Sequence, residues 1–378
     1  MNTRLVFVLA PLLVHCSSGG GSAASGGDAS TTPDGVTTGG DGSGSSSSSG
    51  GGSDSGSTGD SGTTGGGDSG DAGGGGFTVG GCRVFAPQYS YNVDVSQAAL
   101  DANSATYITG LKTAAPVIGL DYPGGEIYNV VPQSQAAVPV QTGSWFGFDS
   151  TGTFFFMADA GAAMAPIPGG VQFENQGTPN ADHHMMVLQQ GSCVLYEMYA
   201  SNPTGPTTGW EVLAQWDLHA ANEQIPDPLE IGSTTAAGTP LLPGVIWPDE
   251  VAAGEITHAI DIVMPANAIA KCQYVHPASD GAWSATGSFP YGGRLRLKAS
   301  YDMTKVTGTQ AKVVLRALQK YGMFNTDISG ETRSSFRLGG LGPNQPWNMA
   351  DIMQLGNLTW DDFDVVDLGT VYTMKGCM

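Results

Sequence analysis

Asp182-His183-His184-Met185-Met186-Val187-Leu188-Gln189-Gln190-Gly191-Ser192-Cys193-Val194-Leu195-Tyr196-Glu197-Met198-Tyr199 places two strand-like runs around a Gln-Gly centre. Apolar and aromatic residues on both sides of a glycine-bearing turn are the pattern of a β-hairpin. With Gln190-Gly191 as the loop, Leu188 faces Cys193, Met186 faces Leu195, His184 faces Glu197 and Asp182 faces Tyr199. A four-residue loop over 189–192 gives the same pairs. Opposed residues share a face, with Cβ atoms about 4.5–5.5 Å apart. Asp182, His184, Glu197 and Tyr199 then gather at the open end, while Met186, Leu188, Cys193 and Leu195 run toward the core. Moving the turn by one residue sets His183 opposite Glu197 instead.

Such a cluster admits three readings. A carboxylate beside an imidazole holds its tautomer and raises its pKa, and two carboxylates at one site are driven apart into an acid and a base. Asp, His and Glu are also metal donors; Asp182, His184 and Glu197 or His258 form that set. The bland reading is a His–Glu pair that satisfies itself inside a sheet.

Two neighbouring segments extend the candidate site. Trp247-Pro248-Asp249-Glu250 closes a proline-rich stretch from Pro226 and leads into Glu255-Ile256-Thr257-His258-Ala259-Ile260. A long loop of that kind in a compact domain is often functional. In strand register His258 shares a face with Ile256 and Ile260, which reads as core. Arg294, Arg296 and Lys298 alternate with Leu295, Leu297 and Ala299, either as a solvated face or as a cationic floor for an anionic or hydroxyl-rich ligand. The chain has seven tryptophans, whose rings suit sugar stacking as well as cores.

Outward from the hairpin, short apolar runs separated by Gly, Pro and Asn recur. Strands are expected at 105–110, 126–131, 137–140, 153–157, 185–189, 193–198, 211–217, 256–263, 295–300 and 365–367. In 311–322, Ala311, Val314, Leu315, Leu318 and Tyr321 form one apolar helical stripe, with Gly322 placed as the glycine after a helix end. Asn348 is positioned to cap a shorter helix through Leu355. The expected fold is mainly β, a sandwich or jelly-roll-like domain over 77–378 with long loops and one main amphipathic helix near 311–322.

The formal charge is −20, an acidic balance that argues against nucleic-acid binding. Four cysteines, Cys82, Cys193, Cys272 and Cys377, lie in the expected domain. Four cysteines allow three pairings; position alone favours Cys82–Cys377 and Cys193–Cys272. No CxxC spacing exists, which speaks against a structural zinc site.

The chain opens with one arginine, a ten-residue apolar run from Leu5 to Val14, and Cys16. The run is far shorter than the ~20 residues of a spanning helix and fits a secretory signal over 1–15. Leu13-Val14-His15-Cys16 resembles a bacterial lipobox, which implies acylation of Cys16 and attachment to the cell envelope. Ser17 in place of Asp implies outer-membrane sorting. An ordinary secretory signal with a chance cysteine is the other reading. Residues 17–76 are Gly, Ser, Thr, Ala and Asp almost throughout. That composition cannot bury enough apolar surface to offset chain entropy. A coil of ~60 such residues reaches about 40–45 Å.

The stretch from Glu126 to Asp367 resembles an uncharacterised family of exported bacterial proteins. Asp182, His184, Leu195-Tyr196-Glu197, Trp210, Leu242-Pro243-Gly244, Asp249-Glu250-Val251, Gly254, Ile256 and His258-Ala259 carry the likeness. So do Arg296-Leu297-Lys298-Ala299-Ser300, Asp302, Leu315-Arg316-Ala317-Leu318 and Tyr321-Gly322. The 226–238 loop departs from the family pattern. The resemblance implies export and no particular activity.

The functional expectation is a monomeric, surface-tethered, carbohydrate-active protein that needs no cofactor. It would hydrolyse a polysaccharide with a carboxylate pair drawn from Glu197, Asp182, Asp249 and Glu250, tuned by His184. Tyr199, Trp247, His258, Arg296 and Lys298 would contact substrate. The alternatives are a non-catalytic glycan- or protein-binding lipoprotein and a metal-binding exported enzyme.

Overall fold

The hairpin forms with its faces as expected and its register displaced by two residues. Val194 pairs with Gln189, Leu195 with Leu188, Glu197 with Met186 and Met198 with Met185. The loop is therefore Gln190 to Cys193, with Gly191 at φ 80° and Cys193 at φ 50°. Cys193 leaves the ladder because it is bonded to Cys82. Gly191 takes a left-handed turn where a Cβ would sit 2.6 Å from Gln133 Oε1. An even shift preserves the face of every side chain. Met186, Leu188, Cys193 and Leu195 accordingly join one buried cluster with Trp216 and Trp247.

The computed structural model describes residues 76–121, 125–140, 146–148, 154–156, 164–178, 181–199, 212–223, 233–340, 347–375 and 377. The expected signal peptide, Cys16, the tether through Gly75, Trp145, Trp210 and residues 226–232 of the proline-rich stretch lie outside the described residues.

The fold is mainly β, with two six-stranded mixed sheets. The first runs in the order Tyr128–Val131, Met185–Gln189, Val194–Tyr199, Val212–Asp217, Phe146–Phe148, Phe154–Phe156. The second runs Phe363–Val365, Arg294–Leu297, Met323–Ser329, Ile260–Pro265, Ser334–Phe336, Ile118–Leu120. At its centre every residue of Ile260–Pro265 is buried, as a strand covered on both faces requires. A three-stranded sheet holds Ile269–Tyr274 between Phe289–Tyr291 and Tyr372–Thr373.

The helix expected at 311–322 spans Thr309–Lys320. Ala311, Val314, Leu315 and Leu318 enter the largest buried cluster together with Ile260, Leu295 and Met323. Gly322 follows at φ 73°, left-handed geometry that costs glycine nothing. After Asn348, a helix Met349–Ile352 continues as a 3-10 turn Met353–Asn357. Among the described residues no helix is long and apolar enough to cross a membrane.

Three expectations are corrected. Residues 105–110, read as a strand, belong to the helix Ser104–Ala114. Ile108, Leu111 and Ala115 are its buried line, a spacing of three and four that outweighed β-favouring Thr, Tyr and Ile. The stretch 256–263 becomes a strand only at Ile260. The cysteines pair as Cys82–Cys193, with Cα atoms 5.5 Å apart, and Cys272–Cys377, at 6.2 Å. The first bond ties a two-stranded ribbon, Thr78–Val79 with Cys82–Arg83, to the hairpin, and the second ties Cys377 to the small sheet.

Candidate functional site

Glu197 sits where the hairpin meets the segment after Thr234, and its carboxylate is a backbone tie. Trp216 Nε1 donates to its Oε2 at 2.8 Å, and Thr234 Oγ1 donates at 3.1 Å. The Leu241 and Leu242 amides donate to Oε1 at 2.9 and 2.8 Å. It has no solvent exposure. Burial raises its pKa, opposed by those same donors. A carboxylate saturated in this way organises a loop and has no free lone pair directed at a substrate.

His184 belongs to a second group built from elements distant in sequence. Glu126 precedes the edge strand of the first sheet and forms a bridge with Gly339. Glu174 comes from an irregular segment whose amide bonds the His184 carbonyl at 2.9 Å. Arg337 follows Ser334–Phe336 of the second sheet. His184 Nδ1 lies 2.7 Å from Glu174 Oε2 and 3.9 Å from Glu126 Oε1. Its Nε2 lies 3.0 Å from the Thr234 carbonyl; a carbonyl only accepts, so this nitrogen carries a hydrogen. Arg337 Nη1 reaches Glu126 Oε1 at 2.8 Å and Nη2 reaches Asp327 Oδ2 at 2.5 Å. All five side chains are buried, with His184 1% and Glu126 2% exposed.

Burial would depress the His184 pKa; Glu126 and Glu174 overcome it and raise it to about 10. Burial, reinforced by the Glu174 charge, raises Glu126 to about 7 against the pull of His184 and Arg337. Burial also acts to raise Glu174, but the charge and hydrogen bond of His184 win and lower it. The two glutamates are thus driven apart by one environment. Glu126, Glu174 and His184 each offer a donor atom within 4.8 Å of the others, a set able to hold a cation.

The remaining expected site residues separate into other roles. Tyr199 OH lies 3.4 Å from Asp182 Oδ1, and the Tyr199 ring lies 5.4 Å from that of His184. Asp182 thus stays near His184 as the hairpin implied; burial raises its pKa. His184 and Glu197 are linked only through Thr234, so the expected direct pair is replaced by a shared partner. Glu250 Oε2 bonds His258 Nε2 at 2.8 Å, and His258 Nδ1 meets the Ala259 carbonyl at 2.8 Å. His258 is wholly buried, as expected for a core residue, although it precedes the strand that starts at Ile260. Asp249 lies 3.5 Å from Tyr128 OH.

Trp247 is core. It is 2% exposed, its Nε1 donates to the Leu242 carbonyl at 2.9 Å, and Tyr128 packs edge-on against it. Arg296 bonds the Val95 and Ala98 carbonyls, and Lys298 bonds the Asp361 carbonyl. Arg294 is buried over the Phe324 ring and bonds the Ser90, Val93 and Tyr321 carbonyls. These bases fasten the 90–98 segment and the C-terminal turn, the structural role of a charged face that otherwise reads as a ligand floor.

A different surface carries exposed aromatic rings. Among the described residues, Trp283 at 45% and Tyr372 at 46% are the only aromatic side chains in the set of exposed large hydrophobics. Tyr372 belongs to the three-stranded sheet, and Trp283 lies in a turn beside it. Lys271 of its central strand bridges Ala282, next to Trp283, and Tyr274 pairs with Tyr372 across the other edge. The Tyr372 ring stacks on that of Tyr274 at 5.4 Å and 21°. Lys271 and Gln273 are the exposed residues of the central strand.

No family model, curated protein or solved structure matches the chain.

Proposed function

We propose that the protein is an envelope-tethered glycan-binding protein whose contact surface is the small sheet bearing Trp283 and Tyr372. The observation that carries this reading is that Trp283 and Tyr372, the half-exposed aromatic rings among the described residues, both lie beside the central strand of one small sheet. A sugar offers an apolar ring face and a hydroxyl rim. An aromatic plane takes the first. Burial elsewhere supports the same choice: Glu197 is fully engaged by protein donors and Glu250 by His258. In this reading Cys16 is acylated, residues 17–76 are the leash, and the protein works outside the cytoplasm as a monomer. In the same reading the two large sheets are layered as a sandwich.

A glycan array followed by calorimetric titration tests the proposal. Binding should occur without product release, and Trp283→Ala should weaken it at unchanged melting temperature. Absence of binding to every polysaccharide would end the reading.

A further inference from the structure

We propose that Glu126, Glu174 and His184 form a binding site for one divalent transition-metal ion, Zn²⁺ or Mn²⁺. The site is independent of the glycan surface.

Three separate features of the geometry support it. The first is donor orientation. His184 Nε2 is held as N–H by the Thr234 carbonyl at 3.0 Å, so in the neutral ring the lone pair sits on Nδ1. That atom faces Glu174 Oε2 at 2.7 Å and Glu126 Oε1 at 3.9 Å. A metal-bound imidazole is held in the same way, with its other nitrogen donating to a carbonyl or carboxylate.

The second is an unused acceptor. Glu126 Oε2 is buried and has no hydrogen-bond partner, although its residue is only 2% exposed. Leaving a carboxylate oxygen in that state is costly, since it loses its water without gaining a donor. Arg337, itself braced by Asp327, fixes the other oxygen, Oε1, at 2.8 Å. The guanidinium orients Glu126 and leaves Oε2 as the free ligand atom.

The third is charge. Glu126, Glu174 and Asp327 are three carboxylates, and Arg337 is one permanent cation. These four groups carry two more negative than positive charges in a buried site, with the Asp121 and Asp182 carboxylates close enough to add to them, and unpaired buried charge is strongly disfavoured. A divalent ion supplies two positive charges at once. The donor atoms lie within 4.8 Å of one another. One ion with bonds of about 2.0–2.2 Å needs donors roughly 3–3.5 Å apart, which a modest rotation of the two glutamate side chains would provide. One nitrogen and two carboxylate oxygens suit Zn²⁺ or Mn²⁺ better than soft ions or all-oxygen Ca²⁺.

The test uses the full chain with its disulfides intact, stripped with chelator and titrated calorimetrically with ZnCl₂ and separately with MnCl₂. The wild type should bind one ion per chain, and its melting temperature should rise with ion concentration. His184→Gln and Glu174→Gln should each weaken that binding at least tenfold while a near-ultraviolet circular dichroism spectrum reports a folded core. Should either variant fail to fold, Arg337→Lys provides the second arm: it keeps the charge but loses the two-pronged hold on Glu126, and it should weaken binding severalfold. Two results would overturn the proposal. One is no stoichiometric binding by the wild type to either ion at millimolar concentration. The other is equal affinity in the folded His184 and Glu174 variants, which would place the ion elsewhere.

Discussion

The indole of Trp216 donates to Glu197 Oε2 at 2.8 Å, and both side chains lie in the core. They sit on adjacent paired strands, where Glu197 opposes Ala214 and Leu195 opposes Trp216. The contact is a diagonal one on the buried face. Glu197 therefore binds the hairpin to the Leu241–Leu242 amides, and its loss is a stability event. Glu197→Gln keeps the shape but replaces one accepting oxygen by a donor facing other donors. Unfolding free energy should fall by about 2–4 kcal/mol, read as a melting temperature lower by roughly 4–10 °C. Glycan affinity measured below that temperature should not change.

Asp261 gives the protein a pH-dependent stability. Burial raises its pKa to about 7, opposed chiefly by the Tyr91 hydroxyl, which donates to Oδ1 at 2.8 Å. The unfolded carboxyl titrates near 4. The native state thus binds the extra proton between those values. This contribution is complete below pH ~4 and is lost as pH rises through about 7, at up to about 1.4 kcal/mol per pH unit. Gly244 closes the site, since a Cβ there would meet Asp261 Cγ at 2.0 Å. Urea unfolding at pH 4.5, 6 and 8 should show Asp261→Asn gaining stability relative to wild type as pH rises.

Both disulfides close long loops, with sequence separations of 111 and 105. By chain entropy each is worth about 4–5 kcal/mol. Non-reducing peptide mapping should recover Cys82 with Cys193 and Cys272 with Cys377. Cys82→Ser with Cys193→Ser should lower the melting temperature and loosen the Gln190–Cys193 turn, detectable as faster amide exchange in Val194 and Leu195.

Arg294 is bonded only to carbonyls and packs over Phe324 at 4.6 Å. Lysine cannot reproduce that fan of donors. Arg294→Lys should cost about 2–4 kcal/mol of stability. Arg296→Gln should leave glycan affinity intact, because that side chain holds the Val95 and Ala98 carbonyls.

How much of this was legible in the sequence depends on periodicity. Alternation along 185–199 assigned each hairpin side chain to its face, and that survived a two-residue slip. The stripe from Ala311 to Tyr321 gave the main helix. The slip itself was not readable, because it follows from a bond between Cys193 and a residue over a hundred positions away. Glu126, Glu174 and Arg337 were missed as partners of His184 for the same reason. They meet through long-range bridges and irregular backbone, where no local period exists. One usable signal was present: Arg337 interrupts Phe336 and Leu338, and a charge inside an apolar run requires a buried counter-charge. The Trp283 and Tyr372 surface was illegible because seven tryptophans look alike until burial separates core rings such as Trp247 and Trp360 from exposed ones.

The central claim is that Trp283 and Tyr372 bind a glycan. It is tested most directly by calorimetric titration of the full chain and of the double variant Trp283→Ala, Tyr372→Ala with the best polysaccharide fragment from an array. The account predicts affinity reduced by about tenfold or more per ring, each tenfold being ~1.4 kcal/mol, with the melting temperature unchanged. Equal affinity in the double variant would contradict it.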